Sequence, residues 1–255
     1  MRLKEMFFWQ YKSNRLAFLV FYLIVAAATL AGSILFVSGT QIAADSGVSV
    51  VGVTINSDSP AMGRFNMATL PIAVVFLLIL GLASFAENLR LALANGVSRR
   101  THFLSFLLFA LVASAVTALL SILFDAIPGF FGVSGASSQF SGSFFVLLLF
   151  FAMVYLCIAA LGYFIAGAYY RMNNPARVAV SIGVPAGLII FFANVFSFGY
   201  DLGNPLYPIT KALISFGDWM TQTLNAALFF ALAAVLFLFL GWLLTRRAPV
   251  KEPVA

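Results

Sequence analysis

The sequence predicts an all-α integral membrane protein with six transmembrane helices, and three observations carry that expectation. Residues of the AVILMFWYC set fill 63% of the 255 positions and charged residues only 9%, whereas a soluble domain has roughly 25% charged residues. Mean hydropathy is +1.05. No Asp, Glu, Lys or Arg lies between Arg15 and Asp45, Arg64 and Glu87, Arg100 and Asp125, Arg177 and Asp201, or Asp218 and Arg246. Each interval has room for the ~20 mostly apolar residues that cross a hydrocarbon core. The longer gap from Asp125 to Arg171 opens on "AIPGFFGVSGASSQFSGS", too rich in Gly, Ser and Pro for a helix, before "FFVLLLFFAMVYLCIAALGYFIAGAYY". It holds one more span. A lipid-exposed backbone must satisfy its own hydrogen bonds, and nothing alternates like barrel strands, so the spans are expected to be helices.

Taken in order, "MRLKEMFFWQYKSNR" sets Phe7, Phe8, Trp9 and Tyr11 among basic residues. It has no small-residue cleavage site ahead of a polar mature domain, so it does not read as a cleavable signal. Two readings stand: an N-terminal interfacial helix with its aromatics in the headgroup layer, or an aromatic and basic anchor with no other task. The spans are placed at 16–37, 68–85, 102–124, 143–169, 178–198 and 223–245, with 246–255 as a tail. Residues 1–255 thus form a single transmembrane domain, and no internal repeat stands out. The first outer loop holds "VSVVGVTI", which has strand character, although an isolated strand pair is marginal. The last outer connection, "GYDLGNPLYPITKALISFGDWMTQ", carries an apolar stretch from Ile209 to Phe216 that is too short to cross. It is open between a re-entrant or surface helix and a loop with buried aromatics.

Small residues mark close helix approaches. In "SIGVPAGLI", Gly183 and Gly187 form a GxxxG pair around Pro185, so the fifth span is expected to be closely packed and kinked, with packing inside the chain favoured over a dimer seam. Gly162, Ala166 and Gly167 play the same part in the fourth. Cys157, the one cysteine, lies within that span, which excludes an intrachain disulfide. The 29 phenylalanines allow a greasy substrate route, but most are expected to face lipid or neighbouring helices.

Orientation follows from the basic residues. With a cytoplasmic N-terminus, the inner segments carry Arg2, Lys4, Lys12, Arg15, Arg90, Arg99, Arg100, Arg171, Arg177, Arg246, Arg247 and Lys251, twelve of the fourteen Lys and Arg. Only Arg64 and Lys211 fall outside. Both termini are therefore expected in the cytoplasm of a cell membrane. The net charge of +6 and pI near 9.7 follow from this topology and give no support to a nucleic-acid partner.

The absences narrow the function. No ionisable residue falls at the centre of a span, where an ion-coupled transporter usually needs one. One His and one Cys far apart cannot make a protease centre or a metal cluster, so no metal and no enzyme activity are expected of this chain. The chain has no GxxxxGK[ST] phosphate loop, so energy for uphill movement must come from a partner.

"ENLRLALANGVSRRTHF", Glu87 to Phe103, interrupts the greasy pattern between the second and third spans. From Ala86 to Ala94 it reads as a short helix in which Phe85, Leu89 and Leu93 share a face. Asn95-Gly96 supplies a left-handed stop, and Ser98 caps the following helix, with Arg99 and Arg100 at its mouth. Such a knob suits a groove on a cytoplasmic partner. The alternative is a plain hairpin turn with arginines that serve only as topology determinants.

In "NLRLALANGVSRRTHF", placed between the second and third of six spans, the chain resembles the small bacterial ABC transporter permeases of the type 2 exporter class, in which an interfacial N-terminal helix, a coupling helix and a Gly-x-Ser-Arg turn recur. The resemblance covers the whole chain in topology and this segment in residues. It implies that the segment docks in a cleft of a separate ABC ATPase subunit, which holds the ATP and Mg, while this chain binds no cofactor. It also implies that two permease chains, copies or paralogues, pair in the lipid bilayer. It places Glu87, Asn88, Leu89 and Arg90 in the short cytoplasmic coupling helix and Gly96, Ser98 and Arg99 in the turn behind it; Asn95, from the stop itself, joins them in the expected ATPase contact. "RMNNPAR", with Arg171, Asn173, Asn174 and Arg177, falls at a second, shorter cytoplasmic contact. The expected function is a non-catalytic permease subunit of an exporter for a hydrophobic or amphipathic substrate such as a peptide, antimicrobial or lipid-like molecule. An ion-coupled secondary transporter and a non-transporting immunity or structural protein remain as alternatives.

Overall fold

The computed structural model describes residues 3–39, 69–130, 143–198 and 207–246. Within them every element is an α-helix: α1 (Leu3–Gly39), α2 (Thr69–Ala94), α3 (Arg99–Phe130), α4 (Phe144–Arg171), α5 (Asn174–Phe198), α6 (Tyr207–Met220) and α7 (Thr223–Arg246). Five helices, α2 to α5 and α7, are long and apolar enough to cross a membrane, which makes the chain a multi-pass membrane protein. The strand-like "VSVVGVTI" and the tail beyond Arg246 lie outside the described residues.

Two expected breaks are absent. The N-terminal segment is not a separate interfacial helix but the start of the 37-residue α1, about 55 Å long at the α-helical rise. The coupling segment is likewise not a separate helix: α2 runs through Phe85 without interruption to Ala94. The reason is the same in both places. The sequence turns polar there, but Lys, Glu, Arg, Leu and Ala are all good helix formers, and no Gly or Pro stops the backbone. The third helix also continues through Pro128 to Phe130, into residues expected to be loop.

α4 is the central helix, with α2 and α7 along its sides and α3 also against it, while α1 packs on α3. The α2–α4 crossing is set by Gly81 and Gly162: a Cβ at either would collide with backbone, the Ala159 carbonyl oxygen in one case and that of Leu78 in the other. Tyr163, fully buried, anchors the centre. Its ring stacks on Phe106 at 4.0 Å and meets Phe85 at 5.0 Å, and its hydroxyl bonds Thr245 Oγ1 at 3.1 Å. Gly241 leaves the space on α7 that this ring occupies. Van der Waals packing and such interhelical hydrogen bonds, rather than expulsion of water, hold helices together in lipid.

α1 is tied to α3 by Ser105 Oγ donating to Gln10 Oε1 at 3.0 Å and by the Tyr22–Thr117 hydroxyl pair. Both bonds join residues 95 apart in sequence, so the two helices run parallel and in register. Phe21 stacks on Phe76 at 3.9 Å and links α1 to α2.

α5 differs from the rest. Every residue from Ser181 to Asn194 is exposed, and a Cβ added at Gly183 or Gly187 would meet nothing within 4 Å. The expectation that these glycines and Pro185 pack inside the chain is thus not met: the helix touches α6 but has no extended contact with α1 to α4. The connection before the sixth expected span contains a real helix, α6, rather than a loop.

Candidate docking hairpin between α2 and α3

The turn is built from local rules. The α2 terminus closes as a Schellman motif, with Gly96 N–H donating to Leu93 O at 3.1 Å and Val97 N–H to Ala92 O at 2.8 Å. Gly96 takes φ 69°, a left-handed conformation that costs other L-residues energy. Asn95 reinforces the stop: its backbone N–H and its Nδ2 both donate to Leu91 O, at 3.1 and 2.8 Å. Val97 and Ala92 are buried together, the apolar contact that accompanies this motif. One residue on, Ser98 Oγ accepts the Thr101 backbone N–H at 3.2 Å, capping one of the unpaired donors at the start of α3.

Arg99 links the hairpin to another helix. Its Nη1 donates to Arg246 O at 2.8 Å, so a cation sits at the carbonyl end of α7, where the helix dipole favours it. α1 provides a second brace. Met6 is buried against Ala92 and Val97, with Trp9 packed beside them. Met6, Trp9, Leu91, Ala92 and Asn95 line a cavity of about 260 Å³. These contacts gather the start of α1, the end of α2, the start of α3 and the end of α7 at one end of the bundle. α4 ends there too, since Phe85 of α2 lies 5.8 Å from Tyr170.

The sequence-derived contact residues separate by burial. Arg90, Asn95, Gly96 and Ser98 are exposed and Arg99 is half-buried. Leu89, at 1% exposure, belongs to the main core, and Asn88 is also buried, so neither is presented to a partner. Glu87 lies on α2, but its side chain is outside the described residues. The Phe85, Leu89 and Leu93 face turns inward, where Leu93 packs on the core that contains the other two.

At the α4–α5 turn, Arg171, Asn173 and Asn174 are exposed. Arg177 instead fastens the turn: its Nε donates to Tyr169 O at 2.9 Å, and Tyr169 Oη bonds Ser181 Oγ at 2.7 Å.

Sequence reasoning missed Met6 and Gln10, whose i, i+4 spacing marks one face of α1, and Gly81, a glycine in mid-span. It also placed His102 only at a boundary, whereas the imidazole is fully buried and neither ring nitrogen has a hydrogen-bond partner. Among the described residues no cluster of His, Cys, Asp or Glu could hold a metal ion. The turn is closed by its own caps and held against α1 and α7. Compared with known proteins, the chain matches no family model, no curated protein and no solved structure.

Proposed function

We propose that the chain is the membrane-spanning permease subunit of an ATP-driven ABC exporter, with α1 completing a set of six spans and both termini in the cytoplasm. The observation that carries this reading is the α2–α3 hairpin, a doubly capped, arginine-bearing turn braced by α1 and α7. The reading is supported by the grouping of Arg90, Arg99, Arg100, Arg171 and Arg246 at the bundle end where α1 begins and α7 finishes, as a positive-inside orientation requires.

In this mechanism ATP binding draws two separate ATPase subunits together, and their clefts carry the hairpins. Rigid caps prevent the turn from absorbing the displacement. The motion passes from the end of α2 through the Met6 contact, and from α3 through the Gln10–Ser105 bond, into α1, and through Arg99 into α7. The open face of α5, with Gly183 and Gly187 free, supports a second permease copy or paralogue as its neighbour. A hydrophobic or amphipathic substrate fits spans without central charges.

The test is affinity purification from the native membrane in mild detergent, comparing wild type with Arg90→Glu, an exposed position whose reversal leaves the caps intact. The expected result is a co-purifying chain with a phosphate-loop ATPase sequence, lost in the variant at unchanged monodispersity. A well-folded wild type that brings down no nucleotide-binding chain contradicts the reading.

A further inference from the structure

α6 is the element that the exporter reading leaves unused. It has 14 residues, about 21 Å at the α-helical rise, too short for a ~30 Å hydrocarbon core. It leads through Thr221 and Gln222 into α7, and therefore stands at the bundle end opposite the α2–α3 hairpin. Its residues divide by face. Ile209, Leu213 and Phe216 recur at i, i+4 and i+7, with Trp219 beside them, and all four are exposed. Lys211, Ser215 and Asp218 repeat the same spacing on the opposite side. Ile214, on the polar side, is the one departure.

The helix is fixed in place. Thr221 Oγ1 donates to Asp218 O at 2.6 Å and Asn225 Nδ2 to Trp219 O at 3.1 Å, so the link and α7's first turn between them satisfy carbonyls at the end of α6. Phe216 meets Phe229 of α7 edge-on at 5.1 Å. Through this contact the exposed apolar arc of α6 joins the exposed Leu224, Leu228 and Leu232 of α7, side chains that a spanning helix presents to acyl chains. One apolar surface thus runs from the flank of a span onto a short amphipathic helix at the membrane edge.

We infer that α6 lies in the membrane surface, with Ile209, Leu213, Phe216 and Trp219 among the upper acyl chains and Lys211, Ser215 and Asp218 in the headgroup layer. The partner is a phospholipid monolayer. Lys211 and Asp218 offset one another, so anchoring comes from apolar burial and does not depend on anionic lipid. The inference rests on the membrane character of α7 and is independent of any ATPase.

The test is spin-label accessibility in phosphatidylcholine vesicles, with single labels at Ile209→Cys, Leu213→Cys, Lys211→Cys and Asp218→Cys; the native Cys157 is buried. Labels at 209 and 213 should be severalfold more accessible to oxygen than to an aqueous nickel chelate, and those at 211 and 218 the reverse. Equal nickel accessibility on both faces would mean a helix in water, and oxygen accessibility deep in the bilayer on both faces would mean a re-entrant one. Either overturns the inference. Quenching of Trp219 in a Trp9→Phe, Trp242→Phe chain avoids added labels: bromine near the headgroup should quench more than bromine near the chain end, and the opposite order refutes the placement.

Discussion

His102 is fully buried on α3, and neither ring nitrogen meets a hydrogen-bond partner. Gln10 Nε2 is in the same position, although Gln10 Oε1 accepts from Ser105. A buried polar group without a partner costs about 1–3 kcal/mol, so His102→Leu should hold or raise the thermal midpoint in detergent. Ser105→Ala should lower stability, by about 1 kcal/mol, because it strands the second polar atom of Gln10. A fall on His102→Leu would mean that the imidazole is satisfied after all. The glycines divide just as sharply. Gly81→Ala or Gly162→Ala forces a methyl into backbone across the α2–α4 crossing and should cost about 1–3 kcal/mol. Gly183→Ala meets open space and should leave monomer stability unchanged or slightly higher, as a helix-interior glycine replaced by alanine does. A thermal series on the three variants checks the contrast. From the sequence these glycines look alike; what separates them is a partner helix, which local pattern cannot supply.

At the scale of elements, the hairpin was the most legible part of the chain. Asn95-Gly96 and Ser98 act through bonds within a few residues, and the Schellman turn and the Ser98 cap follow those local rules. Ser98→Ala should therefore cost about 1 kcal/mol and Gly96→Ala about 1–2 kcal/mol, read as lower denaturation midpoints. Burial of the hairpin's own side chains was less legible. Leu89 and Asn88 sit in a polar-looking run, yet their orientation is decided by α3 and α4 packing against α2. Helices run on where polarity changes without a backbone stop, as at Arg15 and Phe85. A change of solvent does not end a helix; Gly, Pro or a competing cap does.

For the whole molecule, a multi-pass chain whose described elements are all helices follows from composition and charge spacing because a bilayer leaves so few alternatives. The partition of helices does not follow so simply: α4 lies at the centre of the bundle, whereas α5, also apolar enough to cross a membrane, stands outside it. The proposed topology puts the α2–α3 and α4–α5 turns on the cytoplasmic side and α6 on the other. Asn95→Cys and Asn173→Cys should then react with a membrane-impermeant maleimide only in inside-out vesicles, and Lys211→Cys only in right-side-out ones. Labelling of all three from one side would break that arrangement. Whether the hairpin docks into an ATPase, as proposed, is decided in the native membrane by a photo-crosslinking residue at exposed Asn95, with one at Lys211 as the opposite-end control. The expected result is an adduct at 95 containing a phosphate-loop ATPase chain and none at 211. A folded chain that forms no such adduct at 95, or forms it equally at both positions, contradicts it.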